Sequence, residues 1–90
     1  MRPVAYHRQA KRYLQRMPAK RADQVLNAVD ALAAVDDPAH EPHVKNMSGD
    51  WQGWMRIRVG SYRAIFRIQT GKDDIETLFV LIVGPRGDVY

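Results

Sequence analysis

Ninety residues at 46% hydrophobic content provide for one small domain with a single core, so residues 1–90 read as one unit. The chain has no cysteine, which excludes a disulfide framework and thiolate metal sites; with no apolar run long enough for a signal peptide or a bilayer span, a cytosolic protein without a membrane partner is expected. The net charge of +4 falls in blocks: seven basic and no acidic residues from Arg2 to Arg21, six acidic residues against Lys45 from Asp23 to Asp50, and four unopposed arginines from Trp51 to Thr70, a pattern that suits a polyanionic partner.

Pro3 to Tyr6 reads as a short strand. Ala10, Tyr13, Leu14 and Met17 then recur at i, i+3, i+4 and i+7, one face of a helix that Pro18 ends. A second helix is predicted from about Ala19 to Val35, with Ala22, Val25, Leu26, Val29, Leu32 and Ala33 as its apolar stripe. The stretch DDPAHEP stops it as a loop. From Trp51 the period changes to two: Met55, Ile57 and Val59 face one way, and Trp54, Arg56 and Arg58 the other. Gly60-Ser61 reads as a hairpin turn. In the next strand Tyr62, Ala64, Phe66 and Ile68 face the core, leaving Arg63, Ile65 and Arg67 opposite. After a second turn at residues 70–74, Leu78 to Val83 is apolar on both faces, as a central strand should be. The expected fold class is α+β: two N-terminal helices packed on one face of a small antiparallel β-sheet.

The opposite face presents Arg56, Arg58, Arg63 and Arg67. Residues i and i+2 share a strand face, so these side chains converge across the hairpin, and like charges opposite one another are destabilising. Guanidinium forks match phosphate oxygens bidentately and stay charged at any working pH. Phosphate binding is therefore the favoured reading of this face. Arg8, Arg12 and Arg16 fall at i, i+4 and i+8 on helix 1, either as a solvated face or as a docking stripe for an acidic partner. His7, His40 and His43 show no metal spacing, and no catalytic role is expected for them. Trp51 and Trp54 suit core or rim packing better than base stacking. Neither a P-loop nor a Gly-rich dinucleotide fingerprint is present.

Three stretches in order, Met47-Ser48-Gly49, WMRIRVGSYRAIFRI from Trp54 to Ile68, and LIVGPRGDVY at residues 81–90, give the chain a family likeness. Together with the two upstream helices they resemble the RelE/ParE superfamily of bacterial toxin–antitoxin toxins over nearly the whole chain. The resemblance implies a toxin that cleaves messenger RNA in the ribosomal decoding site, using neither metal nor cofactor. It also implies an acidic antitoxin that wraps and silences the toxin, with operator DNA met only through that complex. In the RelE branch, basic residues on the strand before the hairpin turn hold the RNA backbone, which corresponds to Arg56 and Arg58, with Arg67 as a further RNA contact on the same face. The arginine of the Tyr-Arg pair and the arginine after the last strand stabilise the phosphorane, and these fall on Arg63 and Arg86. A C-terminal tyrosine that orients the substrate corresponds to Tyr90.

Two departures from that pattern bear on the chemistry. Several relatives have lysine or histidine where this chain has Pro85, and the best-known members have lysines where this chain has hairpin arginines. Arginine does not readily take up a proton, which leaves Tyr90, Asp88 and the terminal carboxylate as candidate general bases. ParE-type members share the fold and poison DNA gyrase without cutting RNA. They tend to lack the full basic set, so Arg58, Arg63, Arg86 and Tyr90 together argue for the nuclease branch. A degenerate member that only binds antitoxin and operator is a third alternative.

Overall fold

Proline sets the helical boundaries of this chain. In the computed structural model, which describes residues 1–85, helix α1 (Arg8–Arg16) opens on His7, whose Nδ1 accepts from the backbone N–H of Gln9 at 3.1 Å. It closes at Met17, whose ψ of 154° is the extended geometry required before Pro18. Helix α2 (Ala19–Ala34) follows at once, its first turn tied back by Arg21 and Ala22 N–H bonds to the Pro18 carbonyl. At its far end the Arg2 guanidinium donates to the Val35 and Asp36 carbonyls and pairs with Glu76 at 2.8 Å. A cation there offsets the negative end of the helix dipole and pins the N-terminal strand to it.

The remaining elements are β1 (Val4–Tyr6), β2 (Val44–Asn46), β3 (Met55–Val59), β4 (Tyr62–Thr70) and β5 (Glu76–Pro85), with short 3-10 turns at Pro38–His40 and Gly49–Trp51. They form one five-stranded sheet in the order β1-β5-β4-β3-β2. The strands β3, β4 and β5 pair antiparallel, as expected; the short β2, unannounced by the sequence, pairs antiparallel with β3, and β1 joins β5 in parallel, with Val4 opposite Leu78 and Tyr6 opposite Val80. The hairpin turns at Gly60-Ser61, and Gly60 has φ of +59°, which suits glycine at the first central position of a type II′ turn. The predicted alternation from Trp51 is interrupted: a 3-10 turn and Gly53, with φ of +93°, precede the strand, which starts at Met55.

The helices bury Ala10, Met17, Ala22, Val25, Val29, Leu32 and Ala33 against Ile57, Ala64, Phe66, Leu78, Val80 and Val83 of the sheet. Val80 and Val83 both reach this core because the β4–β5 register slips between Ile65 and Phe66: Ile65 lies opposite Ile82, and Phe66 opposite Val80. Leu81 is the extra residue of a β-bulge, which reverses the facing of everything after it. The bulge accounts for the run that is apolar on both faces, and it brings Gly84, without a side chain, opposite Arg63.

Candidate nucleic-acid interface

The outer face of the sheet is organised by the cross-strand register. Arg58 stands opposite Arg63, Arg56 opposite Ile65, and Lys45 of β2 opposite Arg56. Just before β2, the backbone N–H of Arg58 donates to the His43 carbonyl at 3.1 Å, so His43, Arg58, Arg63 and Gly84 make a row across four chain segments. His43, Lys45, Arg56, Arg58 and Arg63 line a small pocket of about 90 Å³, and no acidic side chain of the described residues contributes to it. Arg58 is exposed, while Arg56 and Arg63 are half-buried, with their guanidiniums carried by long stems over the sheet. Ile65 is fully buried on this same face, a floor beside Arg56 and Ile82.

Arg67 lies apart from this pocket. Its guanidinium carbon is 4.4 Å from the centroid of the Trp54 ring, a cation–π contact. With the Gln69 amide turned to present its oxygen, that oxygen accepts from Arg67 Nε and Nη2 at 3.1 and 3.0 Å. Trp54 packs edge-on against Trp51 and tilted against Phe79, at centroid separations of 6.2 and 6.3 Å. The tryptophans are thus rim residues of the outer face, in keeping with the packing role expected of them. A second concavity, of about 230 Å³, adjoins the basic pocket through Arg56 and is lined by Asn46, Met47, Ser48 and Trp51.

The structure therefore brings together three of the six predicted site residues, Arg56, Arg58 and Arg63, and sets Arg67 with Trp54. Arg86 and Tyr90 lie outside the described residues, as do Asp88 and the terminal carboxylate. Two pocket residues, His43 and Lys45, had no site role in the sequence reading. The signal for them was slight: His43, Val44 and Lys45 alternate polar, apolar, polar over one short stretch after a proline-rich loop. Among the described residues no group of three His, Cys, Asp or Glu side chains is placed to hold a metal ion. On the other side of the molecule Arg8, Arg12 and Arg16 are exposed along a groove of about 370 Å³ that also takes in Tyr13 and Val83. No helix of the described residues is long and apolar enough to cross a membrane.

Residues 4–90 match the family model described as the ParE toxin of type II toxin–antitoxin system, parDE. Among solved structures, the chain resembles one in the archaeal RelE–RelB complex of Pyrococcus horikoshii, at 27% identity over 97% of each chain with a TM-score of 0.72. It also resembles one in the RelBE2 toxin–antitoxin complex of Mycobacterium tuberculosis, at 26% identity over 94% of this chain and 98% of that one, with a TM-score of 0.63. The YoeB/ParE toxin of Agrobacterium tumefaciens shares the fold, with a TM-score of 0.74 at 15% identity over 93% of this chain and 98% of that one. No curated protein gives a match.

Proposed function

The chain belongs to the family of ParE toxins of type II toxin–antitoxin systems, and we propose that within it this protein is a metal-independent endoribonuclease that cuts ribosome-bound messenger RNA. The observation that carries this reading is the all-basic pocket on the outer face of the β3–β4 hairpin. RNA brings its own nucleophile, the 2′-hydroxyl, so catalysis consists chiefly of alignment and of stabilising charge on the pentavalent phosphate. Preorganised guanidiniums serve both tasks. In this reading Arg63 is the donor to the phosphorane, with Arg86 and Tyr90 completing the catalytic set, while Arg56 and Arg58 clamp the RNA backbone and Arg67 makes an outer contact.

The protein partner in this proposal is an acidic antitoxin. The Pyrococcus and Mycobacterium structures are toxin–antitoxin complexes, which supports such a partner here. The basic groove along α1 suits the charge of an antitoxin segment. Operator DNA would be met only through that complex. The family match itself favours a second reading, a DNA gyrase poison without nuclease activity.

One comparison separates the two. Purified protein added to a translating extract should produce ribosome-dependent cuts in mRNA, mapped by primer extension. Intact mRNA alongside stalled gyrase–DNA complexes would establish the second reading instead.

A further inference from the structure

We propose that His43 is the proton acceptor for the attacking 2′-hydroxyl, an assignment that rests on the nuclease reading of the pocket and extends it. A guanidinium stays protonated, so the arginines alone leave the proton of the nucleophile without a destination. Histidine is the side chain suited to accept and return a proton near neutral pH.

Three observations single out His43. First, it lines the same pocket of about 90 Å³ as Arg56, Arg58 and Arg63. Second, its carbonyl accepts from the Arg58 N–H at 3.1 Å, so the strand that carries the clamping arginines also fixes the histidine, in one row with Arg58 and Arg63. Third, its backbone is held at φ of +68°, a left-handed conformation uncommon outside glycine that recurs where a site dictates side-chain direction. The other two histidines are committed elsewhere: His7 caps α1 through Nδ1, and His40 pairs with Asp37 on the 3-10 turn. His43 is exposed, so it is not a core side chain.

The step balances without a further reactant. The 2′-hydroxyl proton passes to the imidazole as the O2′–P bond forms, the P–O5′ bond breaks, and the 5′-oxygen takes a proton from water. The products are a 2′,3′-cyclic phosphate and a 5′-hydroxyl, and the imidazolium returns its proton to solvent. The charged and titratable groups around the ring are Lys45 of β2, Arg56 and Arg58 of β3, Arg63 of β4, Glu41 two residues earlier, and the Asp37–His40 pair on the turn that packs against β2.

The test uses the full chain, ribosomes carrying a defined mRNA, and two variants, His43→Gly and His43→Asn, both compatible with a positive φ. Single-turnover cleavage should fall about 10²–10⁴-fold in each variant, with RNA affinity unchanged. The acid limb of the parent's pH–rate profile should vanish, and added imidazole should restore part of the rate to His43→Gly. A parent that cuts, with variants that match it in rate and pH profile, overturns the His43 assignment and leaves the nuclease reading standing. A rate loss with the acid limb intact and no response to imidazole also overturns it, because that is the mark of a structural role. A parent that cuts no RNA overturns both.

Discussion

At one end of the outer sheet face Arg67 lies over the Trp54 ring, 4.4 Å from its centroid. At the other end Arg58 and Arg63 stand directly opposite one another, beside Lys45 and Arg56. Arg63 and Arg67 sit on the same face of the same strand, four residues apart, and differ only in what the neighbouring strands put beside them. Over an aromatic ring a guanidinium adds to stability by about 0.5–1 kcal/mol at an exposed site. Opposite a like charge it subtracts from stability. The first arrangement sets a cation on an aromatic ring, whereas the second gathers like charges that a polyanion entering the pocket would offset.

Substitutions at the two ends should therefore act on different measurements. The largest effect is expected for Arg63→Ala, which in the proposed nuclease removes a donor at the site of growing transition-state charge. Such a loss costs about 3–4 kcal/mol of activation energy, or two to three decades in cleavage rate. Arg86→Ala should cost as much in rate, while Arg16→Ala on the far side should still arrest growth. A folded Arg63→Ala protein that arrests growth like its parent would break the comparison at its stronger end.

Next in size come the arginines proposed to clamp the RNA backbone. Arg56→Ala and Arg58→Ala should each weaken RNA binding across sequences and lower the slope of log affinity against log salt by about one. Arg67→Ala should instead lower stability by about 0.5–1 kcal/mol through loss of the stack on Trp54. Its effect on the salt slope should be the smaller of the three. Equal slopes for Arg58→Ala and Arg67→Ala would mean that both ends of the face touch the RNA backbone and that the stack on Trp54 does not set Arg67 apart.

What was legible in the sequence follows the range of the interactions involved. The two helices, the proline break between them and the Gly60-Ser61 hairpin are dictated by local periodicity and turn chemistry, and they are found where expected. The parallel direction of β1 was not, because three residues pairing with a strand more than seventy positions away carry no local signature of direction. The bulge at Leu81 likewise hides inside an all-apolar run, where a change of facing leaves no mark on the pattern. Arg56, Arg58 and Arg63 could be placed on one face from alternation alone. Their partners His43 and Lys45 could not, since β2 is three residues long and owes its existence to pairing with β3. The same limit applies to Arg67, whose separation from the pocket depends on Trp54, just before β3, and on Phe79 of β5.

A last predicted effect lies on the opposite face of the sheet, which packs against the helices. Tyr6 of β1 has its hydroxyl buried, with no hydrogen-bond partner among the described residues. Burial, and secondarily the negative charge of Asp30, push its pKa up from 10.0 to about 12. The folded state therefore holds the phenol proton more tightly than the unfolded chain. This term is fully present below pH 10, where both states are protonated, and is lost as the pH rises toward about 12, because only the unfolded chain then releases the proton. Tyr6→Phe removes the titration together with the unsatisfied hydroxyl, whose burial costs about 1–3 kcal/mol before the ring's own packing is counted. The variant should be as stable as the parent or more so at pH 7, and the gap between their urea midpoints should widen between pH 9 and pH 11. Lysines and the other tyrosines titrate in the same range in both proteins, so the difference between the two curves isolates Tyr6. A gap that stays constant across that range would mean that the hydroxyl reaches water and that this side of the sheet is less sealed than its packing indicates.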